Sequence, residues 1–360
     1  TGVNTGLLAT DRLNFTGATN MAIVDAQGQV VRNFRVDFGA GSITDNLGVV
    51  TNFANSIGDL QTALNTALGV DGAATFSAGS LSLSTSVANG GLVITDDPAN
   101  PAMRAGRGFA HTFGLNDLIS KGKPINYATG LSGADLHGFN AGTMTFALRN
   151  TDGAIVRTLN FTVTAGTTVT ALRTSIDAAI SGYGQTSFDA QGRLTITPTN
   201  PGIGRIDVVA DSTARGGTNL SVSDFFGLGE TLPAERAVNM KIRDSIRTNP
   251  NLLGSAKADL AGVLAGVRVL APGDGRGALG LEAAGAAPRQ FADAGGLTGQ
   301  VTSVSDYAAR LAGHAGVRAE ALDAAASAAQ SVREEVRQRR MGEEGVNLDE
   351  ELIKMTTYQQ

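Results

Sequence analysis

One apolar pattern occurs twice in this chain, and the repetition limits the fold more than any single motif does. Met21-Ala-Ile23 is followed by a turn at Asp25-Ala-Gln-Gly28 and then by Val30, Val31, Phe34, Val36 and Phe38. Phe146-Ala-Leu148, Thr151-Asp-Gly153 and then Ile155, Val156, Leu159, Phe161 and Val163 follow the same order, each 125 residues after its counterpart. Apolar alternation around a glycine-containing turn predicts a β-hairpin. A helix follows in both places: Ser56 caps Ile57, Leu60, Leu64 and Leu68 before Gly69, and Thr168 caps Val169, Leu172, Ile176 and Ile180 before Gly182. The 3-4-4 apolar spacing gives each helix one buried face. The helices lie only 112 residues apart, so the first copy carries 13 extra residues within 39–55.

A second hairpin matches Phe76, Leu81 and Leu83 with Phe188, Leu194 and Ile196, and a further strand matches Leu92-Val-Ile94 with Ile206-Asp-Val-Val209. Both copies close on the same tripeptide, Phe113-Gly-Leu115 and Phe226-Gly-Leu228. The expectation is an elongated α+β multidomain chain with two repeated β-rich α+β modules, residues 15–120 and 137–231. Residues 1–14 would be a connecting segment and 121–136 a linker around Lys121-Gly-Lys-Pro124 and Leu131-Ser-Gly133.

The texture changes after Leu232-Pro233. Residues 232–300 are mixed, with a turn at Asn249-Pro250-Asn251 and a strand- or helix-like run at Leu260–Leu270. From Val301 the pattern becomes regular: Val301, Val304, Ala308, Leu311 and Ala315, then Leu322, Ala325, Ala329, Val332 and Val336, interrupted at Arg318. Spacing of 3-4 sustained this long predicts a coiled-coil-like rod over residues 301–360. Its many alanines bury little area per layer, so it needs further partner helices. Gly342 and Gly345 predict a break, after which Asn347 caps a last helix with Leu348, Leu352, Met355 and Gln359 along its seam. Asp349, Glu350 and Glu351 place negative charge at its N-terminal end. The plain alternative for these seams is an internal core; the functional one is packing between subunits.

Composition closes off several classes of function. A net charge of −5 gives no basic stripe for nucleic acid. No run approaches the ~18 apolar residues of a membrane span, so membrane insertion is not expected. With no cysteine there is no disulfide, thiolate or cysteine-bound metal. Gly275-Arg-Gly277-Ala-Leu-Gly280, with Asp293 beyond it, has the letters of a dinucleotide-binding turn. The chain has 47 glycines and no second strand follows, so a turn into a helix is the better reading. His111, His137 and His314 are too scattered for a ligand pair, and Asp96-Asp97-Pro98 reads as a strand-end turn. Arg333, Arg337, Arg339 and Arg340 interleave with Glu334 and Glu335 as on a solvated helix face. No catalytic residues, cofactor or metal are expected.

The C-terminal segment carries a resemblance. Gly345-Val346-Asn347-Leu348-Asp349-Glu350-Glu351 and the step Tyr358-Gln359-Gln360 resemble the C-terminal signature of the bacterial flagellar axial proteins, most closely the hook-associated members at the hook–filament junction. Val238-Asn-Met-Lys-Ile-Arg-Asp244, Asn249-Pro250 and Pro272–Leu279 resemble stretches before the long helix in that family, although Gly275 and Gly277 stand where members often carry Asn. The two modules are similar to the hook IN-type motif of flagellins, above all over residues 168–197.

The resemblance implies a structural, non-enzymatic, extracellular protein of the bacterial flagellum, secreted through the type III export pathway without a cleaved signal. It implies a ring of identical copies touching the hook protein and a second junction protein, with an export chaperone bound at a terminal helix. Hook or rod axial proteins share a related signature, and an adhesin-like surface protein using the twin modules is the alternative from another class. The ends at Thr1 and Gln360 read as cut, with an N-terminal heptad helix and a continuation past Gln360 expected.

Overall fold

In the computed structural model, which describes residues 2–120, 126–228, 240–294, 296–344 and 348–359, the chain is a mixed α/β protein with antiparallel sheets and one long helix towards its C-terminal end. Two compact units divide it, Thr1–Arg276 and Gly277–Gln360.

The first sheet has the order β4-β3-β2-β1-β7, made of β1 (Ala18–Val24), β2 (Val30–Asp37), β3 (Ser42–Asp45), β4 (Val50–Asn52) and β7 (Gly91–Asp96). All seven residues of β1 are buried, because both faces of the sheet are covered. Met21 and Ile23 face the core under α1 (Ile57–Leu68), which contributes Ile57, Leu60, Leu64 and Leu68. Burying each such side chain contributes about 1.5–3 kcal/mol. Ser56 caps α1 by accepting from the Asp59 N–H at 3.1 Å, and Gly69 ends it at φ 58°. The hairpin β5 (Gly72–Ser77) and β6 (Ser80–Thr85) and the short helix α2 (Phe109–Phe113) close this core.

On the opposite face of β1, Ala22 and Val24 pack with Val30 against Ala258 and Leu260. Residues 260–270, which the sequence suggested as a strand or helix, form neither. Gly262 and Gly266 adopt φ of 67° and 83°, turning the chain so that it covers the sheet through single contacts such as Gly266 N–H to Val30 O at 2.7 Å. β8 (Ile119–Ser120) enters a separate two-stranded pairing with β14 (Lys241–Ile242).

The second core surrounds the sheet β10-β9-β13, formed by β9 (Gly142–Arg149), β10 (Ile155–Val163) and β13 (Arg205–Asp211). Met144, Phe146 and Leu148 of β9 meet Val169, Leu172 and Ile176 of α3 (Val169–Ala179), whose cap Thr168 accepts from Ala171 N–H at 3.2 Å. β11 (Gly184–Phe188) pairs with β12 (Leu194–Pro198), and α4 (Val222–Phe226) inserts Phe225 and Phe226, both fully buried.

Of residues 1–14, read from the sequence as a connecting segment, residues 2–14 bind into both cores. Leu7 and Leu13 are buried in the first. Thr5 N–H donates to Gly79 O at 3.0 Å, and Asn4 Nδ2 donates to Thr218 O at 3.0 Å. Arg215, fully buried, holds both Asp11 oxygens at 2.7 and 2.9 Å and donates from Nε to His137 O at 2.8 Å. Arg104, also buried, donates to the carbonyls of Leu13 at 2.8 Å and Thr129 at 2.6 Å; desolvation lowers its pKa to about 10.

The remaining elements are α5 (Asp244–Thr248), α6 (Arg276–Ala286), β15 (Arg289–Phe291) paired with β16 (Gln300–Thr302), α7 (Val304–Glu344) and α8 (Leu348–Tyr358). Asn249-Pro250-Asn251 forms the expected turn.

Candidate assembly surface

Ser303 starts α7. Its Oγ accepts from the Asp306 N–H at 3.1 Å and lies 2.8 Å from the Asp306 carboxylate, a side-chain cap that fixes the helix start at Val304. This start displaces Val301, the first expected seam position, into strand β16, where it pairs with Gln290. The hairpin was not foreseen. It seats on the first turns of α7 through Phe291 stacked on Tyr307 at 4.0 Å and through Arg310 donating to Gln300 at 2.5 Å.

From there α7 runs 41 residues without interruption, about 60 Å at 1.5 Å per residue. Of the two glycines expected to break it, Gly342 lies inside the helix, which continues to Glu344, and Gly345 lies outside the described residues. A helical glycine costs only ~1 kcal/mol, and the preceding turn is supported by Arg339 to Glu335 at 2.5 Å and Gln338 to Glu334 at 3.2 Å.

The seam residues Val304, Ala308, Leu311, Ala315, Leu322, Ala329, Val332 and Val336 all lie on α7 and all are exposed, Leu322 at 62% and Val336 at 59%. Leu352 and Met355 on α8 are exposed at 53% and 60%, and Tyr358 at 90%. Leu348 begins α8, with Asp349, Glu350 and Glu351 in its first turn, and Lys354 lies 3.5 Å from Glu351. Gln359 follows the helix, while Gly345, Val346, Asn347 and Gln360 lie outside the described residues, so the cap assigned to Asn347 does too.

Compared with known proteins, the chain matches no family model and no curated sequence.

Elsewhere several titratable groups are engaged locally. Asp274 caps the N–H of Arg276 at 3.0 Å and pairs with its guanidinium at 2.7 Å, which holds the carboxyl well below its usual range. Gly275–Gly280 is therefore a turn entering α6, preceded by the irregular stretch 260–270 rather than by a strand. Asp97 accepts from Arg35 at 2.9 Å and from the N–H groups of Ala99 and Asn100, the strand-end turn read from the sequence. His111 lies 3.8 Å from Asp117, His137 is buried, and His314 stands against the backbone at Gly296. Among the described residues no group of three His, Cys, Asp or Glu could hold a metal, and no helix is long and apolar enough to cross a membrane. A groove of about 1320 Å³ opens between β7 and residues 251–261; in its lining Arg243 donates to the carbonyls of Gly114 at 3.2 Å and Asp117 at 3.4 Å.

Proposed function

We propose that this chain is a structural component of the bacterial flagellum, a hook-associated protein that helps form the junction between hook and filament by self-assembly through its helical rod. The observation that carries this reading is α7, a 41-residue helix whose 3-4 seam is exposed along its whole length. A helix of this length with a solvent-facing apolar stripe gains its stability by packing against other helices. The terminal signature resembling the flagellar axial proteins supplies the identity of the assembly.

The same chain would then carry two copies of a hook IN-type module. Several features support a duplication: β1 lies between β2 and β7, and β9 between β10 and β13. α1 and α3 follow the first hairpin of each with a hydroxyl cap. α2 and α4 both end on a left-handed glycine, Gly114 at φ 63° and Gly227 at φ 72°, with the next leucine N–H returning to a carbonyl of the preceding turn. The first copy extends its sheet with β3 and β4, which fall in the 39–55 insertion. The partners in this reading are further copies of the chain, the hook protein, a second junction protein and an export chaperone, and the site of action is extracellular. The protein is not an enzyme and uses no cofactor.

Deleting the encoding gene is expected to leave cells with hooks and no attached filaments. Restoring it with Leu311→Asp and Leu322→Asp together is expected to return export but not filaments. Normal filaments in either strain would end the reading.

A further inference from the structure

The seam of α7 is apolar or small from Val304 to Val336 at every position but one. Arg318, exposed on the free helix, stands at a core position. Once covered, an arginine there needs a carboxylate opposite it, because a buried unpaired charge is strongly destabilising.

A second α7 does not supply one. In parallel register Arg318 meets Arg318, and shifts by whole heptads set it against Leu311, Ala325, Val304, Val332 or Arg339. Antiparallel overlap brings Glu343 to it only by setting Arg339 against Leu322.

The short helix α8 does supply one. Leu352 and Met355 repeat the spacing of Leu322 and Ala325, thirty residues further on. Laid parallel on α7 of a second copy at that offset, leucine faces leucine, and Met355 fills the room left by Ala325. Asp349 then flanks Arg318, as a residue one beyond a core position lines the hole that receives the opposite knob. We propose that α8 of one copy packs parallel on α7 of the next, with Asp349 paired to Arg318 and an axial offset of about 45 Å. The inference rests on the self-assembly reading and names its contact. Different surfaces meet, so each copy keeps an unused α7 and α8 for its neighbours, and the contact propagates.

The chain has no cysteine of its own, so engineered thiols report the geometry directly. Leu322→Cys and Leu352→Cys chains, mixed and mildly oxidised, are expected to give the mixed disulfide at least about tenfold faster than either variant with itself. Ser327→Cys, on the opposite face, serves as the control. Arg318→Asp or Asp349→Arg alone is expected to slow the mixed cross-link by about tenfold, and the two together to restore it. Preferential Leu322→Cys homodimers, or single reversals without effect, overturn the proposal. Self-association by light scattering without the mixed cross-link overturns this contact and leaves self-assembly standing. Absence of both removes the contact and the assembly reading together.

Discussion

The most searching test of the fold is Asp11→Ala. Asp11 and Arg215 are 204 residues apart in sequence and meet in the interior, with side chains 6% and 0% exposed. The guanidinium makes a bidentate pair at 2.7 and 2.9 Å, donates to Gly6 O at 2.5 Å and His137 O at 2.8 Å, and lies 4.5 Å from the Phe225 ring centre. With Asp11 removed, Arg215 keeps its carbonyl acceptors but no counter-charge. Breaking one side of a buried pair costs about 3–5 kcal/mol. At about 2–4 °C per kcal/mol for a unit of this size, the melting temperature should fall by about 10 °C. Asp11 also accepts from Leu8 N–H at 2.8 Å, so part of the loss belongs to that turn. Asp11→Leu combined with Arg215→Met separates the contributions, since it removes the charge as well as its partner and should recover more than half of the loss. Denaturant unfolding followed by circular dichroism gives both values. A cooperative Asp11→Ala variant within about 1 kcal/mol of the parent would refute the claim that this pair fastens the N-terminal segment to the second core.

Further outcomes follow from other sites. Leu64→Ala empties a fully buried position under the first sheet and should cost about 2–5 kcal/mol in denaturant unfolding; a loss under 1 kcal/mol would place α1 outside the core. Ser303→Ala removes the cap of α7 and should cost about 1 kcal/mol locally, seen as roughly fivefold faster amide exchange at residues 305–307 with no change in the sheets. His137 is held by Phe139 N–H at 2.9 Å and Thr164 O at 3.0 Å, and burial, aided by the Arg215 charge, lowers its pKa from the ordinary 6.5. The unfolded chain then takes up the proton more readily, so stability is full above that value and is lost as pH falls below it. His137→Gln should flatten that slope in denaturant midpoints measured from about pH 7 down to 5; an unchanged slope would count against a buried neutral imidazole. Asp37, held below its ordinary 3.8 by the Ala40 N–H and then by Arg35, contributes stability above that value and loses it in stronger acid, which Asp37→Asn should remove.

Local signals carried the readable part of the fold. Ser56, the four apolar residues of α1 and Gly69 specify start, face and stop within fourteen residues, so the sequence alone places that helix. The same holds for Thr168 and α3, whereas the 3-4 spacing located α7 without fixing either of its ends. Contacts that join distant residues left no periodic trace. Nothing around Asp11 announces Arg215, and nothing in Leu260 shows that it will cover β1 without becoming a strand. Val301 was misplaced for a related reason: an apolar residue at the right spacing fits a helix seam, but the Ser303 cap and the pairing with Gln290 decide the boundary. In a chain so poor in aromatics, Phe291 and Tyr307 were the available clue to the hairpin that seats on α7.

The way the first fourteen residues are tied down has a mechanical meaning. Gly2 donates to Leu81 O at 2.8 Å, Val3 to Phe113 O at 2.9 Å and Asn4 to Thr218 O, while the Asp11 carboxylate accepts from the guanidinium of Arg215, so a single strand of chain is stitched to both halves of the unit. Tension applied at that end cannot peel one half away while the other stays at rest. It must shear the whole row together, and the load is shared between two sheets before either begins to unravel.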